Sequence, residues 1–464
     1  MHVREADEAY LIGPAVASQS YLVQDRLIEV ARASNCDAVH PGYGFLAENS
    51  PFAQLVNDSG LIYIGSTPES IRLLGDKVES RQIMSKAGIP LTPGITSNDA
   101  LSTDHLIKES ERIGYPVLVK AAGGGGGKGM RIVNDPADLK AAIEGASREA
   151  QNAFGNPTVY VEKFILEPRH IEFQVFGDTH GNCIHLAERE CSVQRRHQKV
   201  LEESPSIALD EDLRRRMGET AVKVAKTAGY FNAGTVEFLL DKNRDFYFLE
   251  VNTRIQVEHP VTEEVLGVDL VKEQIRVAAG GELRWNQDEL RQRGHTIEAR
   301  IYAEDAESGF LPAPGPVHFL SAPAGPGIRW DGGVESGDEV SLYYDPMIAK
   351  LIVSAESRIE ALIRLKQALD RTVILGLTTN IEFLKSVVEH PEFASGNLTT
   401  NFLARHIPEW SSEPISDDEA ALAAALTFLS RSQKKQGGSG DASASLPDPW
   451  QSLGAWQIAA GDRL

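Results

Sequence analysis

The stretch "GTVEFLLDKNRDFYFLEVNTRIQVEHP", residues 234–260, reads as two strands joined by the turn residues 242–245, with a polar continuation. Pairing the strands symmetrically about that turn sets Glu237 opposite Glu250. Directly opposed residues have Cβ atoms about 4.5–5.5 Å apart, where two like charges destabilise the pair. A positive group therefore belongs between them. Magnesium is the economical candidate, because it takes few carboxylates and completes its shell with water and phosphate oxygens, and Asn252 points to the same face two residues on. If extension continues, Glu250, Asn252, Arg254, Gln256 and Glu258 share that face, while Val251, Ile255 and Val257 point away. The competing reading is a solvated sheet face of alternating charge, and a bulge near the turn would shift the facing pair.

Upstream, "HIEFQVFG" and "CIHLAER" continue the strand pattern, so an antiparallel sheet is expected from residue 169 onward, interrupted by a helix over 210–230. Residues 1–65 alternate short strands and helices: "AVHPGYG" ends a strand, "SPFAQLVNDSG" is helical and "LIYIG" is a buried strand. Residues 66–91 form a helical connector that stops at Gly88-Ile89-Pro90. A compact unit spans 92–165, and strands and helices then run over 166–410. Within 411–464, "KKQGGSGDASASLPD" is a Gly/Ser-rich linker, and "PWQSLGAWQIAAGDRL" resumes apolar character over too short a length to fold alone.

The whole chain sets limits on function. At 464 residues it holds several cores. Its net charge of -20 opposes general binding of nucleic acid or a membrane surface, so an anionic ligand needs a dedicated pocket. Cys36, Cys183 and Cys191 show no CxxC spacing, so a reducing, cytoplasmic setting is expected. No apolar run reaches the ~18 residues of a membrane span, and "MHVREADEAY" lacks the apolar core of a signal peptide.

A second motif, "PVLVKAAGGGGGKGMRIV" over 116–133, sets five consecutive glycines between two strands. It is no P-loop, since Gly129 follows Lys128 where Ser or Thr must hold magnesium. Gly124, Gly126 and Gly129 match a dinucleotide fingerprint formally, but "MRIVND" is a strand where that motif needs a helix. What remains is a glycine hairpin whose bare N–H groups close over polyphosphate, with Lys120 before it; the bland alternative is a floppy loop. A third cluster, Arg195, Arg196, His197 and Lys199, reads as a local anion pocket because acidic residues flank it. Cys191 reads as a structural thiol, and His170 fits a surface position as well as a site.

Together, "HPGYGFLAEN", "GDKVESR", "VLVKAAGGGGGKGM", "VEKFILEPRHIEFQV", "LAERECSVQRRHQKVLEESPS" and "FLEVNTRIQVEHPVTE" resemble the biotin carboxylase component of biotin-dependent carboxylases, over nearly all of residues 2–405. That resemblance implies an ATP-grasp fold of α/β and α+β character: a Rossmann-like first domain, a mobile lid and a C-terminal mixed domain. It implies a ligase that carboxylates carrier-bound biotin with bicarbonate and ATP, using Mg2+ or Mn2+. By position, Lys77 and Lys120 resemble the lysines on the ATP phosphates, and Gly126 and Gly127 the tip of the lid. Glu162, Lys163, Phe164 and Ile165 resemble the adenine hinge; His170, Gln194 and His197 other nucleotide contacts; Glu237, Glu250 and Asn252 the metal ligands. Lys199, Arg254, Gln256 and Val257 resemble the bicarbonate pocket, Glu258 the general base, and Arg300 the residue that stabilises deprotonated biotin. Partners implied are a biotin carboxyl carrier, a carboxyltransferase subunit and a second copy of the chain, with neither nucleic acid nor membrane.

Members of that family begin with a further strand, helix and strand, so the first domain is expected to be truncated and to expose an unpaired strand edge. The chain has no "AMKM"-like biotin attachment motif, and "DPWQSLGAWQI" resembles the region after the carboxylase module in single-chain α subunits for methylcrotonyl- or geranyl-CoA. The chain is thus read as a fragment or a mis-started gene product. Two alternatives stand beside this: another ATP-grasp carboxylate or carbamoyl ligase, and an ATP-binding assembly module impaired by truncation.

Overall fold

The structure, a computed structural model, describes residues 1–95, 102–121, 130–412 and 416. The chain divides into two compact units, Met1–Ser411 and Ser412–Leu464. In the first, α1 (Gln24–Ala33), β1 (Ala38–Val39), α2 (Ser50–Asp58) and β2 (Ile62–Tyr63) form a small α/β layer whose two strands run parallel. Phe52, Val56, Tyr63 and Ile71 share its core. "LIYIG" is only partly the buried strand expected: Leu61, Tyr63 and Ile64 are buried, but Ile62 is 44% exposed, on the strand face opposite Tyr63 and the core.

The helical connector consists of two helices, α3 (Pro68–Gly75) and α4 (Lys77–Lys86). Asp76 leaves the helical conformation at φ -83°, ψ 108° and accepts from the amides of Val78 and Glu79, so it ends one helix and caps the next. Lys77 therefore starts a helix.

A four-stranded sheet follows in the order β3-β6-β4-β5, built from β3 (Gly94–Ile95), β4 (Val117–Ala121), β5 (Arg131–Val133) and β6 (Val159–Lys163). Helices α5 (Thr103–Ile113) and α6 (Leu139–Phe154) cover it through Leu106, Val117, Val119, Leu139, Ile143 and Val161. Strands flank the glycine tract on both sides as expected; Gly126 and Gly127 themselves lie outside the described residues.

The largest sheet is antiparallel throughout, with eight strands in the order β11-β10-β7-β8-β9-β12-β14-β13. They are β7 (Arg169–Gly177), β8 (Cys183–Arg195), β9 (Gln198–Ser204), β10 (Asn232–Leu240), β11 (Phe246–Asn252), β12 (His295–Tyr302), β13 (Ile328–Gly332) and β14 (Met347–Ala355). Alternation gives the sheet two chemistries. Ile171, Phe173, Val175, Val236 and Phe238 pack on α7 (Glu211–Thr227), and Ile297, Ala299, Ile301, Leu351 and Val353 pack with Leu365 and Leu369 of α9 (Arg358–Arg371). The residues between them, His170, Glu172, Gln174, Thr235, Glu237, Glu298 and Arg300, are polar yet buried. A third helix, α8 (His259–Leu266), packs on strands β8, β9, β12 and β14.

Candidate active site

Buried charges survive only when paired and hydrogen-bonded, so the polar face must be read as a network. Lys199 is its hub. The register jumps from Val193↔Leu201 to Gln194↔Lys199, so Val200 is a bulged residue, which re-aims the strand at Lys199. Lys199 Nζ then donates to Glu172 on β7, to Glu258 ahead of α8, and to Glu237 Oε1 on β10 at 3.2 Å. Arg189, fully buried on β8, ties the same face together through Glu172 Oε1 (2.6 Å), Gln174 Oε1 (3.0 Å), Thr262 Oγ1 (2.9 Å), Thr235 Oγ1 (3.1 Å) and Gln256 Oε1 (2.8 Å).

Glu237 and Glu250 are directly opposed, as the symmetric pairing predicts, but by compensation. The hairpin closes on Leu240↔Phe246, one residue short of symmetry, and a bulge at Leu249 restores the register before Glu250 is reached. Each carboxylate has a cationic neighbour. Glu250 Oε2 lies 2.9 Å from Lys77 Nζ; Glu237 Oε2 lies 3.0 Å from His170 Nε2, and its Oε1 also accepts from Asn252 Nδ2 at 2.8 Å. His170 is therefore buried and engaged. Two carboxylates and an amide on one face suit a hard divalent cation that keeps open positions for phosphate oxygens. Two other groups of ligand-type atoms, His170 with Glu172 and Glu237, and Glu172 with Cys191 and Glu258, converge instead around the ammonium of Lys199, which already supplies their positive charge.

The extended run expected through Glu258 stops at Asn252. A loop over 253–258 replaces it, and side chains reach the same place by another path. Arg254 donates to Asn252 Oδ1 and the Ile255 carbonyl and lies 3.4 Å from Glu48 Oε2; Gln256 Nε2 donates to Glu237 Oε1 at 3.2 Å. Backbone carbonyls pin the loop: Val257 O accepts from Lys350 Nζ at 2.8 Å, and Gln256 O lies 2.7 Å from His259 Nδ1. Glu258 Oε2 accepts from Arg300 Nη2 at 2.9 Å, and Arg300 Nε donates to Glu202 Oε1 at 2.6 Å.

Toward the four-stranded sheet, Lys120 pairs with Glu162, whose other oxygen accepts from Thr92 Oγ1 at 2.9 Å and lies 3.1 Å from Arg81 Nη1. The amides of Lys163 and Phe164 are spent on the carbonyls of Pro93 and Pro116, while Ile165 N has no backbone acceptor among the described residues. Gln194 Nε2 lies 3.3 Å from His170 Nδ1, and His197, exposed at the turn, lies within electrostatic reach of His170, Lys120, Glu250 and Lys77. The basic cluster does not act as one pocket. Arg196 and His197 take positive φ in the turn between β8 and β9, and Arg195 stacks on Phe310 beside Glu304, so of the four only His197 and Lys199 are tied to this site.

Comparisons with known proteins agree on a family and a fold. Three family models match: "Biotin carboxylase, N-terminal domain" over residues 1–71, "Carbamoyl-phosphate synthase L chain, ATP binding domain" over 76–286, and "Biotin carboxylase C-terminal domain" over 298–405. The biotin carboxylase of Nostoc sp. is 50% identical over 404 residues, which cover 87% of this chain and 90% of that one. The chain belongs to the biotin carboxylase family. The mitochondrial methylcrotonoyl-CoA carboxylase subunit alpha of Dictyostelium discoideum is 49% identical over 99% of this chain, and the chain spans 65% of that subunit's length and 57% of its rat counterpart's. Among solved structures, the Campylobacter jejuni biotin carboxylase β-γ-ATP complex superposes with TM-score 0.84 at 47% identity, covering 87% of this chain and 90% of that one. The biotin carboxylase domain dimer of Hydrogenobacter thermophilus 2-oxoglutarate carboxylase, with MgADP, ADP and bicarbonate, gives 0.83 at 45%, covering 89% and 91%. The ATP-grasp fold is thereby established, and no helix among the described residues is long and apolar enough to cross a membrane.

Measured against this biotin carboxylase fold, sequence reading missed Arg81, Glu172, Arg189, Glu202, Glu298 and Lys350. A signal for Glu172 was present: His170, Glu172 and Gln174 alternate with Ile171, Phe173 and Val175, so a strand with one apolar face carries three polar residues on the other. Arg189 and Lys350 act through partners distant in sequence, and nothing local marks them.

Burial raises the carboxyl of Glu258, yet Lys199, Arg300 and Arg189 outweigh it and hold the group well below the usual carboxylate range. For Glu237 the same burial is overcome by Lys199 and His170, and for Glu162 by Lys120 and Arg81. Burial drives the Cys191 thiol far up, in keeping with a structural role, and lowers His259 to about 3, so its imidazole is neutral.

Depressed carboxyls contribute stability that is complete above their unfolded value of about 4.3 and is lost as pH falls toward the folded values. Unfolding free energy measured by urea titration is expected to drop as pH falls below ~4.3, with a shallower drop for Glu162→Gln. Replacing Arg189 by Met leaves buried Glu172 with Lys199 as its one cationic partner and takes the donor from Gln174 and Gln256, and is expected to cost about 3 kcal/mol in the same measurement at neutral pH.

Proposed function

We propose that this chain carboxylates biotin on a carrier protein or domain, using bicarbonate and ATP, as the first half-reaction of an acyl-CoA carboxylase. One observation carries the reading: a single loop presents Arg254, Gln256 and Glu258 beside Lys199 and Arg300, next to an opposed carboxylate pair and Lys77. That combination suits a small carbonate anion held against a nucleotide phosphate.

Lys77 and Lys120 bind the ATP phosphates, Glu162 to Ile165 meet adenine, and His170, Gln194 and His197 complete the nucleotide contacts. Glu237, Glu250 and Asn252 hold Mg2+ or Mn2+, which when bound draws charge from the phosphate oxygens. Lys199, Arg254, Gln256 and the Val257 backbone bind bicarbonate. Glu258 takes the bicarbonate proton; the freed oxygen attacks the γ-phosphorus and ADP leaves. The lowered pKa of Glu258 describes a resting network in which Lys199 and Arg300 lie on it. An incoming anion draws Lys199, and the biotin ureido oxygen draws Arg300, so the carboxylate becomes a stronger base when both substrates are present. Carboxyphosphate splits into carbon dioxide and phosphate; phosphate removes the ureido N–H proton, and nitrogen attacks carbon dioxide while Arg300 steadies the anionic ureido oxygen. Residues 92–165, with Gly126 and Gly127, close as a lid that keeps water from the intermediate.

A biotin carboxyl carrier, a carboxyltransferase and a second copy of the chain are the proposed partners, in a reducing cytoplasm that keeps its three cysteines free.

Phosphate release from ATP and bicarbonate, with and without free biotin, tests the proposal. Stimulation by biotin is expected. Stimulation only by ammonia or an amino acid indicates another ligase, and silence from a folded, ATP-binding chain indicates an assembly module. Glu258→Gln is expected to abolish biotin-dependent turnover and leave ATP affinity within about twofold; equal loss of both rejects its role as base.

A further inference from the structure

Behind Arg300 lies a pair of carboxyls that the reaction above leaves unused. Glu298 on β12 stands directly opposite Glu202 on β9, so the two share the polar face, and both are buried to 1% exposure or less. Glu202 Oε1 is taken by Arg300; its Oε2 and both oxygens of Glu298 meet no hydrogen-bond partner among the described residues.

Each cation near the pair, Lys350 included, is already engaged by another acceptor. On β12 itself, Arg300 is divided between Glu202 and Glu258. On β9, Lys199 serves Glu172, Glu237 and Glu258. On β14, Lys350 is held by the Val257 carbonyl and Asp331. From α8 come neutral His259, bonded to the Gln256 carbonyl, and Glu263, held by Arg329 and the Leu270 amide. Two buried carboxylates at cross-strand spacing repel and lack water, so one of them keeps its proton.

We propose that Glu298 is a positioning residue that works as a neutral carboxylic acid: it shares its proton with Glu202, which keeps Arg300 aimed at Glu258 and the substrate ureido oxygen. This rests on the function proposed above. Burial moves Glu298 well above the usual carboxylate range against the pull of Lys350 and Arg300, with the charge of Glu202 adding to the rise, and it moves Glu202 to about 7 against the pull of Arg300, in the same sense as the geometry. The pair titrates as a unit. When its last proton leaves as pH rises, a second negative charge appears under Arg300 and pulls the guanidinium from its task. Because the folded state holds a proton that the unfolded chain releases near pH 4.3, stability also declines as pH rises through the pair's upper ionisation.

The test is infrared difference spectroscopy of wild type against Glu298→Gln, with pH profiles of biotin-stimulated phosphate release. Wild type is expected to show the carbonyl stretch of a protonated carboxylic acid at neutral pH that the variant lacks. The neutral amide is expected to keep turnover at neutral pH within about threefold and to move the alkaline limb of kcat/KM for biotin upward by about one pH unit or more. If no band is lost, Glu298 is ionised and the proposal falls; a lost band with an unmoved alkaline limb overturns the positioning role. If Glu298→Gln does not fold, Glu202→Gln decides: without its charged neighbour the Glu298 band titrates away at lower pH than in wild type, and an unchanged midpoint overturns the proposal. The band reports the proton whatever the acceptor, so a band that behaves as stated without any biotin stimulation sinks the functional reading and leaves the proton assignment standing.

Discussion

The ammonium of Lys199 sits among carboxylates from three separate segments of the chain, Glu172, Glu237 and Glu258. Removing water from four charges is expensive, and only mutual pairing with further hydrogen bonds offsets it. Arg189 supplies those further bonds to Glu172 and Gln256, and Arg300 to Glu258. Around Lys199 the polar face of the sheet is thus a closed electrostatic unit. Its apolar reverse, packed on α7 and α9, provides the stability that lets so many charges stay inside.

The network also suggests how the site is poised. Lys77, Lys199, His170 and Arg300, the cations expected to meet phosphate, carbonate and biotin oxygens, lie on internal carboxylates. Under the proposed function, substrate binding is an exchange of counter-ions within a preformed frame, which limits reorganisation during the chemical step. Loop 253–258 is fixed through its carbonyls by Lys350 and His259, and its side chains are held by the charged network around Lys199.

Much of this was legible in the chain. The facing pair Glu237 and Glu250, the antiparallel sheet and the strands around the glycine tract follow from alternation and turn chemistry, which are local. The bulges at Leu249 and Val200 were not legible, because each depends on a partner strand; the first happened to cancel a short turn and left the pairing intact, while the second carries Lys199 into the site. The continuous strand through Glu258 was misjudged for a related reason: past Asn252 the backbone turns toward α8, held by Lys350 from far along the sequence. Asp76 showed the reverse case, an ordinary capping residue that hides within an otherwise continuous helical pattern.

The most direct test of the account is a crystal structure of this chain with ADP, magnesium and bicarbonate bound. Counter-ion exchange requires the anion to lie within hydrogen-bond distance of Lys199, Arg254 and Glu258, with Glu237 turned from Lys199 to the metal beside Glu250. An anion bound away from Lys199 and Arg254, or a metal held without Glu237 and Glu250, would contradict it.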